Sequence, residues 1–190
     1  MVCSSGYAEL QVTTNYSFLR GASHPHELFG QAEELGIAAL GITDRNSVAG
    51  IVQAWESAKK TGVQLIAGCR LDLRPEAPDM PGPALLAFPM DRPAWSGLCG
   101  LLTLGRSRVG RGPGNKGGCD LGWDDLAAAN AGLLLVLAPT DDAALTRQLA
   151  RLRADAPGRV PTWPGRCGGG PATQPGCTAW RNWARPPGRR

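Results

Sequence analysis

Apolar and polar side chains alternate along Ala8–Thr14, the two-residue period of a short strand with one buried face. The period then changes. Pro25 opens a run, His26 to Leu35, in which Leu28, Ala32 and Leu35 recur at three- and four-residue spacing ahead of Gly36, which predicts a helix with one apolar side. Ile37–Thr43 is almost continuously apolar, as in a strand covered on both faces. Val48–Thr61 returns to helical spacing, with Ile51, Val52, Trp55 and Ala58 on one side and Gly62 at its end. Val63–Leu73 predicts a strand pair or one long strand, and Ala84–Phe88 another strand. Pro93–Leu104 predicts a helix with Trp95, Leu98, Leu101 and Leu102 inward. Arg106–Gly118, rich in Gly and Arg, predicts a loop. Asp120–Ala131 then reads as a short helix, Leu133–Ala138 as a buried strand and Asp141–Ala154 as a helix.

Strands that alternate with helices predict an α/β fold of parallel strands joined by right-handed crossovers. An open sheet and a barrel both satisfy that order. About five βα units fit before residue 157, too few for a closed eight-unit barrel, which needs ~250 residues. A barrel built from this chain would be partial.

Composition divides the chain into two parts, 1–156 and 157–190. The second contains seven Gly, seven Pro, six Arg and three Trp, and no Leu, Ile, Phe, Met, Asp, Glu or Lys. The formal charge of +4 rests on it: without its six arginines, 14 basic residues face 16 acidic ones. Net charge therefore gives the first 156 residues no nucleic-acid signature.

Met1–Leu10 has neither the basic nor the apolar part of a signal peptide, and no apolar stretch approaches the ~18–20 residues of a membrane helix. A cytoplasmic protein is expected, with no membrane partner. Disulfides are rare there, so Cys3, Cys69, Cys99 and Cys119 read as reduced thiols, and none of the spacings gives the CxxC pairs of a zinc site.

The chain has only two histidines, His24 and His26, which flank Pro25 at a predicted helix start and read as exposed or capping residues. Ser23 is the expected N-cap. Arg106, Arg108, Arg111 and Lys116 could contact phosphate, but without interleaved aromatic residues the segment reads as a surface connector.

Three segments carry a family resemblance: Ala8–Ser23 (AELQVTTNYSFLRGAS), Leu40–Gly50 (LGITDRNSVAG) and Leu65–Leu73 (LIAGCRLDL). Together they resemble the opening of the PHP (polymerase and histidinol phosphatase) domain of C-family bacterial DNA polymerases, in particular the error-prone branch. Leu101–Arg106 (LLTLGR) is similar to that branch as well. The resemblance runs in order from residue 7 to about 156. It implies a distorted (β/α) barrel of PHP type, here partial and truncated.

In active members of the family, His-x-His on the first strand and further His and acidic residues bind metal ions. At the matched positions this chain carries Gln11, Thr13, Arg20, Arg45 and Arg70; of the ligands named, only Asp44 is retained. Arginine cannot be deprotonated in a protein, so three of these positions hold fixed positive charge where a divalent cation would need neutral or anionic donors. The expectation is no metal, no cofactor and no catalytic residue. Arg20, Arg45 and Arg70 are expected to meet acids such as Asp44, Glu9 or Asp72, with Asp44 in a structural ion pair.

The resemblance implies a parent enzyme that is a DNA-directed DNA polymerase in replication and damage-tolerant synthesis. DNA and other replication proteins would be partners of that parent, and this piece a non-catalytic scaffold. A free-standing metal-dependent PHP phosphoesterase and a small non-enzymatic interaction protein are the alternatives. After Asp141–Ala154 a further βα unit is due, yet residues 157–190 follow. Their bias toward Pro, Gly, Arg, Ala, Trp and Cys is that of a GC-rich gene read out of frame, which suggests a frameshift near residues 158–162. A natural disordered tail is the other reading.

Overall fold

The computed structural model describes residues 6–75, 82–109, 118–129, 131–138, 147–148, 150–152 and 154. In chain order its elements are β1 (Ala8–Val12), α1 (Pro25–Glu34), β2 (Ala39–Ile42), α2 (Ile51–Thr61), β3 (Gln64–Ala67), β4 (Cys69–Asp72), β5 (Ala84–Pro89), α3 (Arg92–Arg108), α4 (Trp123–Ala129) and β6 (Leu133–Ala138). The described positions from 147 to 154 are helical, as expected for Asp141–Ala154. Residues 157–190 lie outside the described residues, and with them the expected tail.

The α/β class and the alternation expected from the sequence are observed. β1, β2 and β3 form a parallel sheet in that order, with α1 and α2 as its crossovers. A second sheet, β4–β5–β6, is antiparallel throughout, which departs from the all-parallel expectation. No helix is described between β4 and β5, and a parallel return would need a long crossover. Among the described residues α3 and α4 lie between β5 and β6, and β6 pairs antiparallel with β5.

Gly68 is the corner between the sheets and divides Val63–Leu73 into the pair β3 and β4. Its N–H donates to the Ile42 carbonyl at 3.0 Å, the last bond of the β2–β3 ladder. The chain then runs beside residues 44–46: Arg70 N–H donates to the Asp44 carbonyl at 3.0 Å, and Asn46 N–H to the Arg70 carbonyl at 2.7 Å. A Cβ at Gly68 would lie 2.6 Å from the Phe88 ring, so a side chain there would force the sheets apart.

Three apolar layers follow from the alternation of each strand. Leu40 and Ile42 pack with Phe29, Ala32 and Ala54 of α1 and α2. Cys69, Leu71, Leu85 and Leu135 pack with Leu98, Leu101 and Leu126 of α3 and α4. Between the sheets lie Ala39, Ile66, Leu86 and Phe88. Burial pushes the Cys69 thiol up to about 12, so it is protonated at neutral pH; Cys69, Cys99 and Cys119 are free, and Cys3 lies outside the described residues.

Three local expectations are corrected. α2 buries Ala54 and Ser57, leaving Val52 66% and Trp55 52% exposed, because its small residues face the neighbouring elements. The N-cap of α1 is His24 rather than Ser23, and Glu27 Oε2 accepts from the His24 N–H at 2.7 Å. α3 continues through Arg106 and Arg108, residues expected in a loop, because Gly105 is buried against Cys119 and Leu121 and both arginines find acceptors. Of the expected loop, residues 110–117 lie outside the described residues.

Candidate functional site

Alternation along β4 sends Cys69 and Leu71 toward α3 and sets Arg70 and Asp72 on the opposite face. That face is also the face of Leu86, the register partner of Arg70, in the layer between the sheets. Arg45 follows β2 and is the parallel bridge partner of Arg70. The two arginines therefore stand side by side across that bridge. Asp72 meets both: Oδ2 accepts from Arg45 Nε at 2.5 Å and Oδ1 from Arg70 Nε at 2.9 Å.

Partial burial alone would raise the Asp72 carboxyl pKa; hydrogen bonds and charge from Arg70 and Arg45 outweigh it and hold the group below the usual carboxylate range. Asn46 fixes the strand beside it. Its backbone is left-handed, with φ of 47°, a conformation that Asn tolerates better than most residues. Its Oδ1 accepts from the Asp72 N–H at 3.1 Å, and its carbonyl accepts from Arg106 Nη2 at 2.8 Å.

Asp44 is buried and makes no ion pair with a described residue, contrary to the expectation of one with Arg45 or Arg20. Oδ1 accepts from the Thr14 N–H at 2.9 Å and from Ser17 Oγ at 2.6 Å, while Oδ2 accepts from Thr14 Oγ1 at 2.8 Å. The Ser17 hydroxyl in turn accepts from the Arg45 N–H at 2.9 Å. Three donors that would otherwise be unpaired in the interior thus replace a counter-ion. The retained aspartate pins the loop after β1 to the end of β2. Gly21 closes that loop, since a Cβ there would lie 2.3 Å from the Thr14 carbonyl oxygen.

The remaining matched positions do not join this cluster. Arg20 is exposed, and its guanidinium makes no ion pair or hydrogen bond with a described residue, so two of the three expected arginines meet an acid and the third does not. Gln11 is exposed and Thr13 half-buried, each without a side-chain hydrogen bond to a described residue. Glu9 pairs with the Tyr7 hydroxyl at 2.7 Å rather than with an arginine, and this bond lowers its carboxyl pKa. His24 and His26 stack at 5.6 Å on the exposed start of α1.

Sequence reasoning passed over Thr14, Ser17 and Asn46 and placed Arg106 in a surface connector; all four organise the site through hydrogen bonds. Only the Asp-Arg-Asn order hinted at a turn. It placed Arg108 in the same connector, whereas its two Nη atoms donate to Asp125 at 2.5 and 2.8 Å; with the Gly122 N–H this lowers the Asp125 carboxyl to about 2.

A divalent cation does not fit these residues. Asp44 has both oxygens committed to buried donors, Asp72 has both committed to guanidinium groups, and Arg45 and Arg70 add two positive charges. Among the described residues no three His, Cys, Asp or Glu side chains gather as a ligand set. One buried acceptor, Asn15 Oδ1, has no bonded donor, and nothing in the structure explains it.

Parallel β1–β3 with its crossovers, the corner at Gly68 and the polar cluster at the strand ends define a PHP-type α/β domain, and the PHP domain family matches residues 9–159. The chain belongs to the PHP domain family. It is similar to Error-prone DNA polymerase 1 of Agrobacterium fabrum, 51% identical over 149 residues, which is 78% of this chain and 13% of that protein. The error-prone DNA polymerase of Caulobacter vibrioides is 45% identical over 80% of this chain and 13% of its own length. The chain thus spans about an eighth of the length of these relatives. Among solved structures, a protein described as a metal-dependent phosphoesterase from Bifidobacterium adolescentis aligns with 55% of this chain and 35% of its own, at 25% identity and a TM-score of 0.46. No helix of the described residues is long and apolar enough to cross a membrane.

Proposed function

We propose that this chain is the PHP-domain piece of an error-prone, DNA-directed DNA polymerase of damage-tolerant synthesis, and that the piece is a non-catalytic scaffold without metal or cofactor. The observation that carries the second part is the sharing of Asp72 by Arg45 and Arg70, at positions where active relatives are expected to place metal-binding groups. Hydrolysis of a nitrophenyl phosphate ester in the presence of manganese or zinc tests it. No turnover above the metal-only blank supports the scaffold; metal-dependent turnover by the purified chain contradicts it and favours a free-standing phosphoesterase.

On this reading the parent polymerase, in the cytoplasm, meets DNA and the other replication and damage-tolerance proteins through parts that lie outside these 190 residues. Residues 157–190 derive from a shift of reading frame near residues 158–162. The family match ending at residue 159 and the Pro, Gly and Arg bias beyond it support this. Sequencing the gene across codon 190 tests both points: polymerase sequence resuming in another frame supports them, and its absence contradicts them.

A further inference from the structure

We propose that the outer edge of β3 and the apolar groove beside it bind an extended peptide of another protein, added to the first sheet as a further strand. This surface shares no residue with the polar cluster and goes beyond the scaffold reading. β3 runs parallel to β2, with Leu40 opposite Leu65 and Ile42 opposite Ala67. Gln64 N–H donates to the Ala38 carbonyl at 3.1 Å and Gly68 N–H to the Ile42 carbonyl at 3.0 Å. In a parallel ladder alternate residues face the same neighbour, so Gln64, Ile66 and Gly68 serve β2. Leu65 and Ala67 direct their N–H and C=O groups to the other edge, where they bond to no described residue.

The usual protections of an open edge are missing from β3. Its sequence, QLIA, has no proline and no charge, and its pairing with β2 runs without a register shift. The opposite edge of the same sheet differs: on β1 the Gln11 N–H is held by Glu9 Oε1 at 3.0 Å.

Alternation sets the side chains of Leu65 and Ala67 on one face of β3. With Ile51, Val52 and Trp55 of α2 and Trp95 of α3 they line a groove of about 500 Å³. Val52 and Trp55 are its exposed apolar wall. Lys59 Nζ sits 3.3 Å from the centre of the Trp55 ring and puts one positive charge at the rim.

These features select an extended peptide. A helix satisfies its own backbone groups and would leave those of Leu65 and Ala67 unpaired. A second copy of the chain brings the same concave wall and a second Lys59 charge, so both grooves stay unfilled. An extended segment answers both needs: its backbone pairs with β3 while alternate apolar side chains enter the groove. A flanking carboxylate meets Lys59. The partner segment is therefore apolar at alternate positions and acidic at its flank.

A fluorescein-labelled, terminally blocked peptide, Glu-Leu-Thr-Val-Thr-Leu-Glu, titrated with the full chain and followed by fluorescence polarisation, tests this. One saturable site is expected. Val52→Glu should weaken it at least about tenfold by setting a carboxylate in the groove. Lys59→Glu should weaken it as well, and Arg108→Gln should leave it unchanged. Of two peptides N-methylated at alternate amides, one should lose binding and the other keep it, because only one edge of the peptide faces β3. By hydrogen exchange, the Leu65 and Ala67 amides of the free chain should exchange faster than those of Ile66 and Gly68, and the peptide should slow them. Circular dichroism establishes that the variants fold, and Trp55→Ser repeats the test if Val52→Glu does not. The proposal is overturned by the absence of saturable binding, by binding that both methylated peptides keep or both lose, or by Leu65 and Ala67 amides already protected in the free chain. Self-association in sedimentation that Val52→Glu disperses also overturns it, and assigns the surface to a second copy.

Discussion

Arg45, just past β2, and Arg70 of β4 are parallel bridge partners, and the single carboxylate of Asp72 holds both guanidinium groups. Replacing Asp72 with Ala should therefore cost more than the loss of one exposed ion pair, since two like charges are left side by side. A loss of about 1–2 kcal/mol at neutral pH and low salt is expected, shrinking at high salt as the repulsion is screened. Urea denaturation at two ionic strengths measures it. A loss that does not change with salt would mean that repulsion is not the cause.

The folded pKa of Asp72 lies below its unfolded value. Its stabilising contribution is present above the unfolded carboxyl pKa and is lost as pH falls through the folded one. Asp125 gives a clearer window, with a folded value of about 2 against an unfolded value of about 4. Stability should fall between about pH 4 and about pH 2, and Asp125→Asn should flatten that part of the curve. Equal acid sensitivity in wild type and variant would exclude the Arg108–Asp125 pair as the source.

Asp44→Ala leaves the Thr14 N–H and the Thr14 and Ser17 hydroxyls without their acceptor in the interior. A loss of about 3 kcal/mol or more is expected. Faster hydrogen exchange at the Thr14 amide should accompany it. A loss below about 0.5 kcal/mol, the range of an ordinary surface substitution, would contradict the structural role assigned to Asp44.

At Gly68 a methyl group meets the Phe88 ring at 2.6 Å. Gly68→Ala should cost about 1–3 kcal/mol through overpacking. Phe88→Leu in the same chain should recover part of it, and thermal unfolding of the single and double variants reads the coupling. Purely additive losses would place the strain elsewhere.

Much of the first sheet was legible because its signals are local. Pro25 and Gly62 bound their helices as read, and the apolar run Ile37–Thr43, read as a covered strand, contains β2, Ala39–Ile42. The antiparallel second sheet was not, because a run such as Leu133–Ala138 looks the same in either direction and only pairing decides. Of the site, the resemblance brought Arg45, Arg70 and Asp44 into view. Which acid each arginine meets was hidden, since it depends on register. Arg70 and Asp72 share a face because they are two apart on one strand, whereas Asp44 turns to the loop hydroxyls of Thr14 and Ser17. Arg106 bonds the Asn46 carbonyl across sixty residues of chain, a contact that no local pattern encodes.

On the proposed reading, guanidinium groups occupy the place where active relatives are expected to hold cations. Metal content of the purified chain after equilibration with zinc and with manganese tests it most directly, with Arg45→His/Arg70→Glu as a comparison that restores donors. The account predicts far less than one equivalent bound to the wild-type chain with either metal. A stoichiometric ion that is lost when Asp44 and Asp72 are replaced would contradict it.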